Sequence, residues 1–178
     1  RQRQMCIRDS PRVTEIISPF LEFSISNNTM ELACERGKLV HKYCVAELQD
    51  LFVPEYGELE GYVQSFRSLL PVKLIKAEFE VKHEQFIYKG HPDMLVEWKG
   101  ERWLWDLKTS EVANKAWIMQ LSAYYYALPE ELKPDKVAAV RLKKDGKPAI
   151  VDTIFIDELN KGFQAFLNFL NGWRYLKE

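Results

Sequence analysis

The stretch GHPDMLVEWKGERWLWDLKTS, residues 90–110, constrains this chain more than any other. Val, Leu and Trp crowd both of its arms, so it reads as two strands joined at Lys99-Gly100. Glycine accepts the positive φ of a tight turn, although lysine is a mediocre partner for it. A two-residue turn sets Trp98 opposite Glu101, and Asp93 then falls opposite Asp106 with Cβ atoms about 5 Å apart. Facing carboxylates destabilise a sheet, and a dry setting makes the repulsion severe. Such a pair is relieved by a shared proton or a cation. An odd-length turn abolishes the pairing.

Strand side chains repeat every two residues, so Lys108 shares a face with Asp106. Mg²⁺ and Mn²⁺ suit carboxylate oxygens and keep several waters. A metal held by Asp93 and Asp106 activates water and neutralises a phosphodiester, while Lys108 orients the water and stabilises charge. The alternative is two edge aspartates facing solvent. Leu95, Trp103, Leu104, Trp105 and Leu107 weigh against it by making the ribbon largely buried.

The 178 residues suit one domain, and 47% hydrophobic with 29% charged residues is a globular balance. No apolar run reaches the ~18 residues of a membrane span. Residues 1–10, RQRQMCIRDS, resemble a translated transposase-adapter end, and we read them as a sequencing artefact ahead of a single domain over 11–178. Leaving them out moves the net charge from −1 to −3. Polyanion binding must then rest on a local patch or on metal. The remaining cysteines, Cys34 and Cys44, form no CxxC or Cys/His ligand pattern. That pattern fits a reducing cytoplasm without disulfide, zinc site or iron–sulfur cluster.

Along the chain, Thr14 reads as the N-cap of a short helix interrupted by Pro19. Asn28 or Thr29 caps a longer helix to about Leu51, burying Leu32, Leu39, Tyr43 and Ala46, and Pro54 ends the region. A helix over 59–70 stops at Pro71. Residues 72–98 alternate as strands. A helix ended by Pro129 follows, then a hairpin turning at Asp145-Gly146, then a helix from about Glu158 to Leu176. The order α-α-β-β-β-α-β-β-α gives an α/β fold, a central mixed β-sheet flanked by helices.

Other positions have both a chemical and a structural reading. His41 follows Gly37 by one turn and is a third metal ligand or an ordinary helical histidine. Glu78 begins the strand preceding Asp93 and accepts from a metal-bound water, with Glu80 as its rival. Gln120 and Tyr124 share a helix face, turned to the pocket or at a core boundary. Trp117 and Tyr125 are core or groove aromatics. Arg141, Lys143, Lys144 and Lys147 make a basic hairpin that tracks a phosphate backbone or is merely solvated.

ERGKLVH, Glu78, KGHPDML, WDLKTS and QLSAYY occur in an order that resembles the PD-(D/E)XK nucleases, most closely the RecB-type nuclease domain and small phage exonucleases. The resemblance spans about residues 12–160. It implies a restriction-endonuclease-like core and metal-dependent DNA hydrolysis leaving a 5′-phosphate. By position it implies that His41, Asp93, Asp106 and the Leu107 carbonyl are metal ligands and that Lys108 is the catalytic lysine. Glu78 would stand near the metal. Gln120 and Tyr124 would position Lys108 and the substrate strand, and Arg36 with Gly37 would match the helix motif. The four cysteines of cluster-bearing relatives are missing, as is a helicase region. The acidic net charge leaves room for a recombination partner or an oligomer to supply affinity. The leading expectation is an Mg²⁺/Mn²⁺-dependent exonuclease of recombination, repair or phage DNA processing. A silent DNA-end-binding module and a structure-specific endonuclease are the alternatives.

Overall fold

The computed structural model describes residues 10–20, 27–53 and 55–177. The artefact reading of residues 1–10 falls almost wholly outside that range, as does Pro54. The described elements are α1 (Val13–Ile17), α2 (Asn27–Leu48), α3 (Glu60–Arg67), β1 (Lys73–Ala77), β2 (Val81–His83), β3 (Tyr88–Gly90), β4 (Met94–Trp98), β5 (Glu101–Lys108), α4 (Lys115–Ala127), β6 (Lys136–Arg141), β7 (Ile150–Ile154) and α5 (Ile156–Tyr175). Five strands form one mixed sheet in the order β1-β4-β5-β6-β7, and β2 pairs with β3 as a separate ribbon. The α/β expectation holds. With α1 and the β2–β3 ribbon set aside, the remaining elements run α-α-β-β-β-α-β-β-α.

Lys99 and Gly100 both take positive φ, 54° and 79°, the signature of a two-residue hairpin turn. The register follows: Trp98 pairs with Glu101, Leu95 with Leu104 and Met94 with Trp105. β6 runs parallel to β5, setting Asp106 beside Ala139, and α4 makes the crossover that parallel neighbours require. The two central strands are buried on both faces, which explains their near-continuous apolar composition.

Alternation divides the core into two layers. Leu95, Leu104, Val137 and Ala139 face α1, α4 and α5. Met94, Val96, Trp103, Trp105, Leu107, Ala138 and Val140 face α2 and α3. Each buried Val, Leu or Met among them contributes about 1.5–3 kcal/mol by leaving water. Among the described residues no helix is long and apolar enough to cross a membrane.

Several boundaries differ from the sequence reading. α1 begins at Val13, and Glu15 accepts from the Arg12 N–H at 3.1 Å, so Thr14 stands inside the helix and not at its cap. α2 begins at Asn27, which puts Asn28 and Thr29 within its first turn; their side chains lie outside the described set. Its buried face is Val40 and Cys44, whereas Leu32 and Leu39 are exposed. This helix carries apolar residues on more than one face, and the sheet selects the stripe that meets Met94 and Trp105. The strand run over 72–98 splits between two sheets because Glu78 and Ile87 take positive φ (44° and 47°) and break it. Asn114, whose side chain accepts from the Ala116 N–H at 2.8 Å, caps α4.

Candidate active site

The polar site lies where the β4–β5 ladder ends. Met94 and Trp105 are its last partners, one position short of Asp93 and Asp106. The next residue, Pro92, has no N–H to give. Side chains take over at this end. The Leu107 N–H donates to Asp93 Oδ2 at 2.7 Å, and His41 Nε2 donates to the Leu107 carbonyl at 2.9 Å. His41 Nδ1 lies 3.2 Å from Asp93 Oδ1. The three residues thus close a loop between α2, the lead into β4, and β5.

With an acceptor on each ring nitrogen, His41 satisfies both only as the imidazolium. Burial works against that charge, but Asp93, then Asp106 and the Leu107 carbonyl, outweigh it and hold the pKa above the ordinary histidine value.

β5 turns Asp106 toward α4, the same side as Leu104. Its carboxylate is almost fully buried, with Lys108 Nζ 2.5 Å from Oδ2. Lys108 also donates to Gln120 Oε1 at 3.0 Å. The Gln120 amide nitrogen donates to the Tyr124 hydroxyl at 2.9 Å and lies 3.4 Å from Asp106 Oδ1. One helix turn separates Gln120 from Tyr124, so α4 presents both to Lys108 and Asp106. Burial pushes the Asp106 carboxyl up, Lys108 draws it back, and Asp93 adds to the rise. Burial, then the Asp106 charge, also raises the Tyr124 phenol, which therefore stays protonated. Trp117 borders the site, its ring 5.6 Å from Lys108 Nζ.

The structure therefore brings together His41, Asp93, Asp106, Leu107, Lys108, Gln120 and Tyr124. The facing-carboxylate geometry needs a correction. The turn has the expected even length, but Asp93 bends out of the strand and engages His41 and Leu107, while Asp106 engages Lys108 and Gln120. Two carboxylates, an imidazole and a carbonyl match a hard divalent ion in kind. Among the described residues, however, no three His, Cys, Asp or Glu side chains are gathered closely enough to hold one.

Glu78 stands at the rim. Its N–H donates to the Asp93 carbonyl at 2.8 Å, and the residue, its side chain exposed, lines a cleft with His41 and Asp93. Its rival Glu80 pairs with Lys82 at 2.7 Å and lies 3.7 Å from His91. Arg36 is half-buried, and its Nε has no hydrogen-bond partner among the described residues.

The basic hairpin is less available than its sequence implies. Arg141 grips Asp152 through two contacts of 2.5 and 3.1 Å and donates to the Glu111 carbonyl. Lys147 pairs with Asp145. Only Lys143 and Lys144 remain without an ion pair among the described residues. β6 and β7 keep the register that an Asp145-Gly146 turn implies, with Arg141 opposite Ile150, although their pairing stops at that point. Asp152 is then the diagonal neighbour of Arg141, a signal that was there to be read.

Sequence reasoning missed Gly90, His91 and Arg12. A Cβ on Gly90 would stand 2.4 Å from the Tyr124 ring, so this glycine makes room for Tyr124. The signal was its place in KGHPD beside the candidate aspartate. His91 and Arg12 line the clefts on either side of Asp93.

The fold and site thus define a mixed α/β protein with a buried Asp–Lys pair braced from the crossover helix. Comparison with protein-family models and with curated proteins gives no match. Among solved structures the chain is similar to one titled "Crystal structure of SSO0001", with 14% identity, 93% of this chain and 84% of that chain covered, and a TM-score of 0.41.

Proposed function

We propose that this chain is a Mg²⁺- or Mn²⁺-dependent deoxyribonuclease that hydrolyses phosphodiesters to leave a 5′-phosphate. We further propose that it acts from DNA ends in recombination, repair or phage DNA processing, in the cytoplasm of a bacterial or phage-infected cell. One observation carries the reading. Residues from α2, the lead into β4, β5 and α4, with bonded partners as far as 66 positions apart, converge on the Asp106–Lys108 pair and the adjoining Asp93–His41–Leu107 loop. A merely solvated D-x-K triplet requires no such convergence.

Asp93, Asp106, His41 and the Leu107 carbonyl are the residues that would hold the metal, which requires His41 to give up a ring proton and these groups to draw closer than they stand here. When bound, the metal supplies charge neutralisation at the phosphodiester and a more acidic water. Lys108 orients the attacking water and stabilises developing negative charge. Gln120 fixes the Lys108 ammonium, and Tyr124 fixes Gln120, so the lysine's position does not depend on the substrate.

The test is incubation of end-labelled linear DNA and covalently closed circular DNA with Mg²⁺ or Mn²⁺. Labelled nucleotides from the linear form alone support an end-dependent enzyme, and nicking of the circle supports an endonuclease. A second reading, a silent DNA-end-binding or accessory module, is favoured by the internal partners that both carboxylates already have. Folded protein that binds both DNAs and cuts neither would establish that module instead.

A further inference from the structure

Two open clefts meet at Asp93. One, of about 330 Å³, is lined by Arg12, Thr14, His91 and Asp93, with Gln120 and Tyr124 at its inner end. The other, of about 400 Å³, runs between Lys38 and Lys42 of α2 and the same His91 and Asp93, with Glu78 on its wall. His91 and Asp93 line both, so the clefts adjoin at the mouth of the site, together a trough with these two side chains at its middle. Each end carries cations in excess: Arg12 at one, Lys38 and Lys42 against the single carboxylate of Glu78 at the other. All three cationic side chains are exposed, and none has an ion pair among the described residues. The basic hairpin differs, since two of its four cations are taken by Asp152 and Asp145.

We propose that this trough is the track for the sugar-phosphate backbone of a nucleic-acid strand, with Arg12 and the Lys38/Lys42 pair holding phosphates on either side of Asp93. The inference rests on the nuclease reading for its choice of ligand, but it concerns binding and is separable from cleavage. Recognition here is electrostatic, so it is sequence-independent and falls with salt. Lys38 and Lys42 are four apart on one helix and reach the same strand. An acidic chain thereby obtains a local footprint for a polyanion without an overall basic charge.

The test is fluorescence anisotropy of the full chain with a labelled single-stranded oligonucleotide in EDTA, over a range of salt. Arg12→Gln/Lys38→Gln/Lys42→Gln should lose about tenfold or more in affinity and lower the salt slope by about 2. Lys38→Arg/Lys42→Arg should bind as the native chain does. Lys143→Gln/Lys144→Gln should stay within about twofold. Loss in the hairpin variant with none in the trough variant overturns the proposal, as does absence of binding by the native chain. Trough-dependent binding without cleavage in Mn²⁺ upholds the track and sinks the nuclease. Cleavage with unaltered affinity in the trough variant does the reverse.

Discussion

The β4–β5 ribbon has two unlike ends. At the turn, geometry closes it: Lys99 and Gly100 take positive φ, Trp98 lies edge-to-face on Trp103 and Trp105, and Trp98 Nε1 donates to the Leu69 carbonyl. At the other end the ladder stops at Met94 and Trp105, and polar side chains satisfy the backbone that a further strand residue would have met. The turn end has rigidity and no chemistry. The open end gathers ionisable side chains where its pairing is incomplete. Buried charge in this ribbon is thus confined to the place where backbone groups need polar partners, whereas Glu97, Glu101 and Arg102 near the turn are exposed or half-buried.

The contrast can be broken at several points. Trp103→Ala should cost the most stability, about 3–5 kcal/mol in urea unfolding, because it empties a nearly dry aromatic site. A loss below about 1 kcal/mol would show that the aromatic packing does not hold the turn end. Gly90→Ala should cost about 1–3 kcal/mol by driving a methyl into the Tyr124 ring. Combined with Tyr124→Ala, most of that cost should vanish in a double-mutant cycle. An additive result would remove the steric account.

Gly100→Ala should cost about 1–2 kcal/mol from its positive φ alone, as nothing lies where the Cβ would go. The smallest effect concerns pH. His41 has a raised pKa in the fold, so the stability it adds is full below the ordinary value of 6.5 and fades as pH rises through the folded value. The stability difference between the native chain and His41→Gln should therefore be largest at acid pH and shrink toward alkaline pH. A gap that widens with pH would contradict the imidazolium.

Much of the ribbon was legible because a two-residue turn leaves one register, and that register places every side chain from Met94 to Trp105. Strand and helix periods likewise set Lys108 beside Asp106 and Gln120 beside Tyr124, whereas the meeting of the two pairs was implied only by the family resemblance. Other features depend on tertiary contacts that no local period carries. The buried stripe of α2 was misread because Leu32 and Leu39 compete with Val40 and Cys44 on spacing alone. The exit of Asp93 from the strand was missed because the Asp93–His41–Leu107 loop joins segments tens of residues apart. Arg141 was taken for a free cation although the Asp145-Gly146 register already set Asp152 diagonally across from it.

The central claim is that the open end carries catalysis independently of the fold. Its most direct test measures cleavage of end-labelled linear DNA in Mn²⁺ and the thermal unfolding midpoint on the same preparation of Lys108→Met. The rate should fall by about 10²-fold or more, while the protein still unfolds cooperatively within a few degrees of the native chain. Cleavage by Lys108→Met at the native rate would contradict the account.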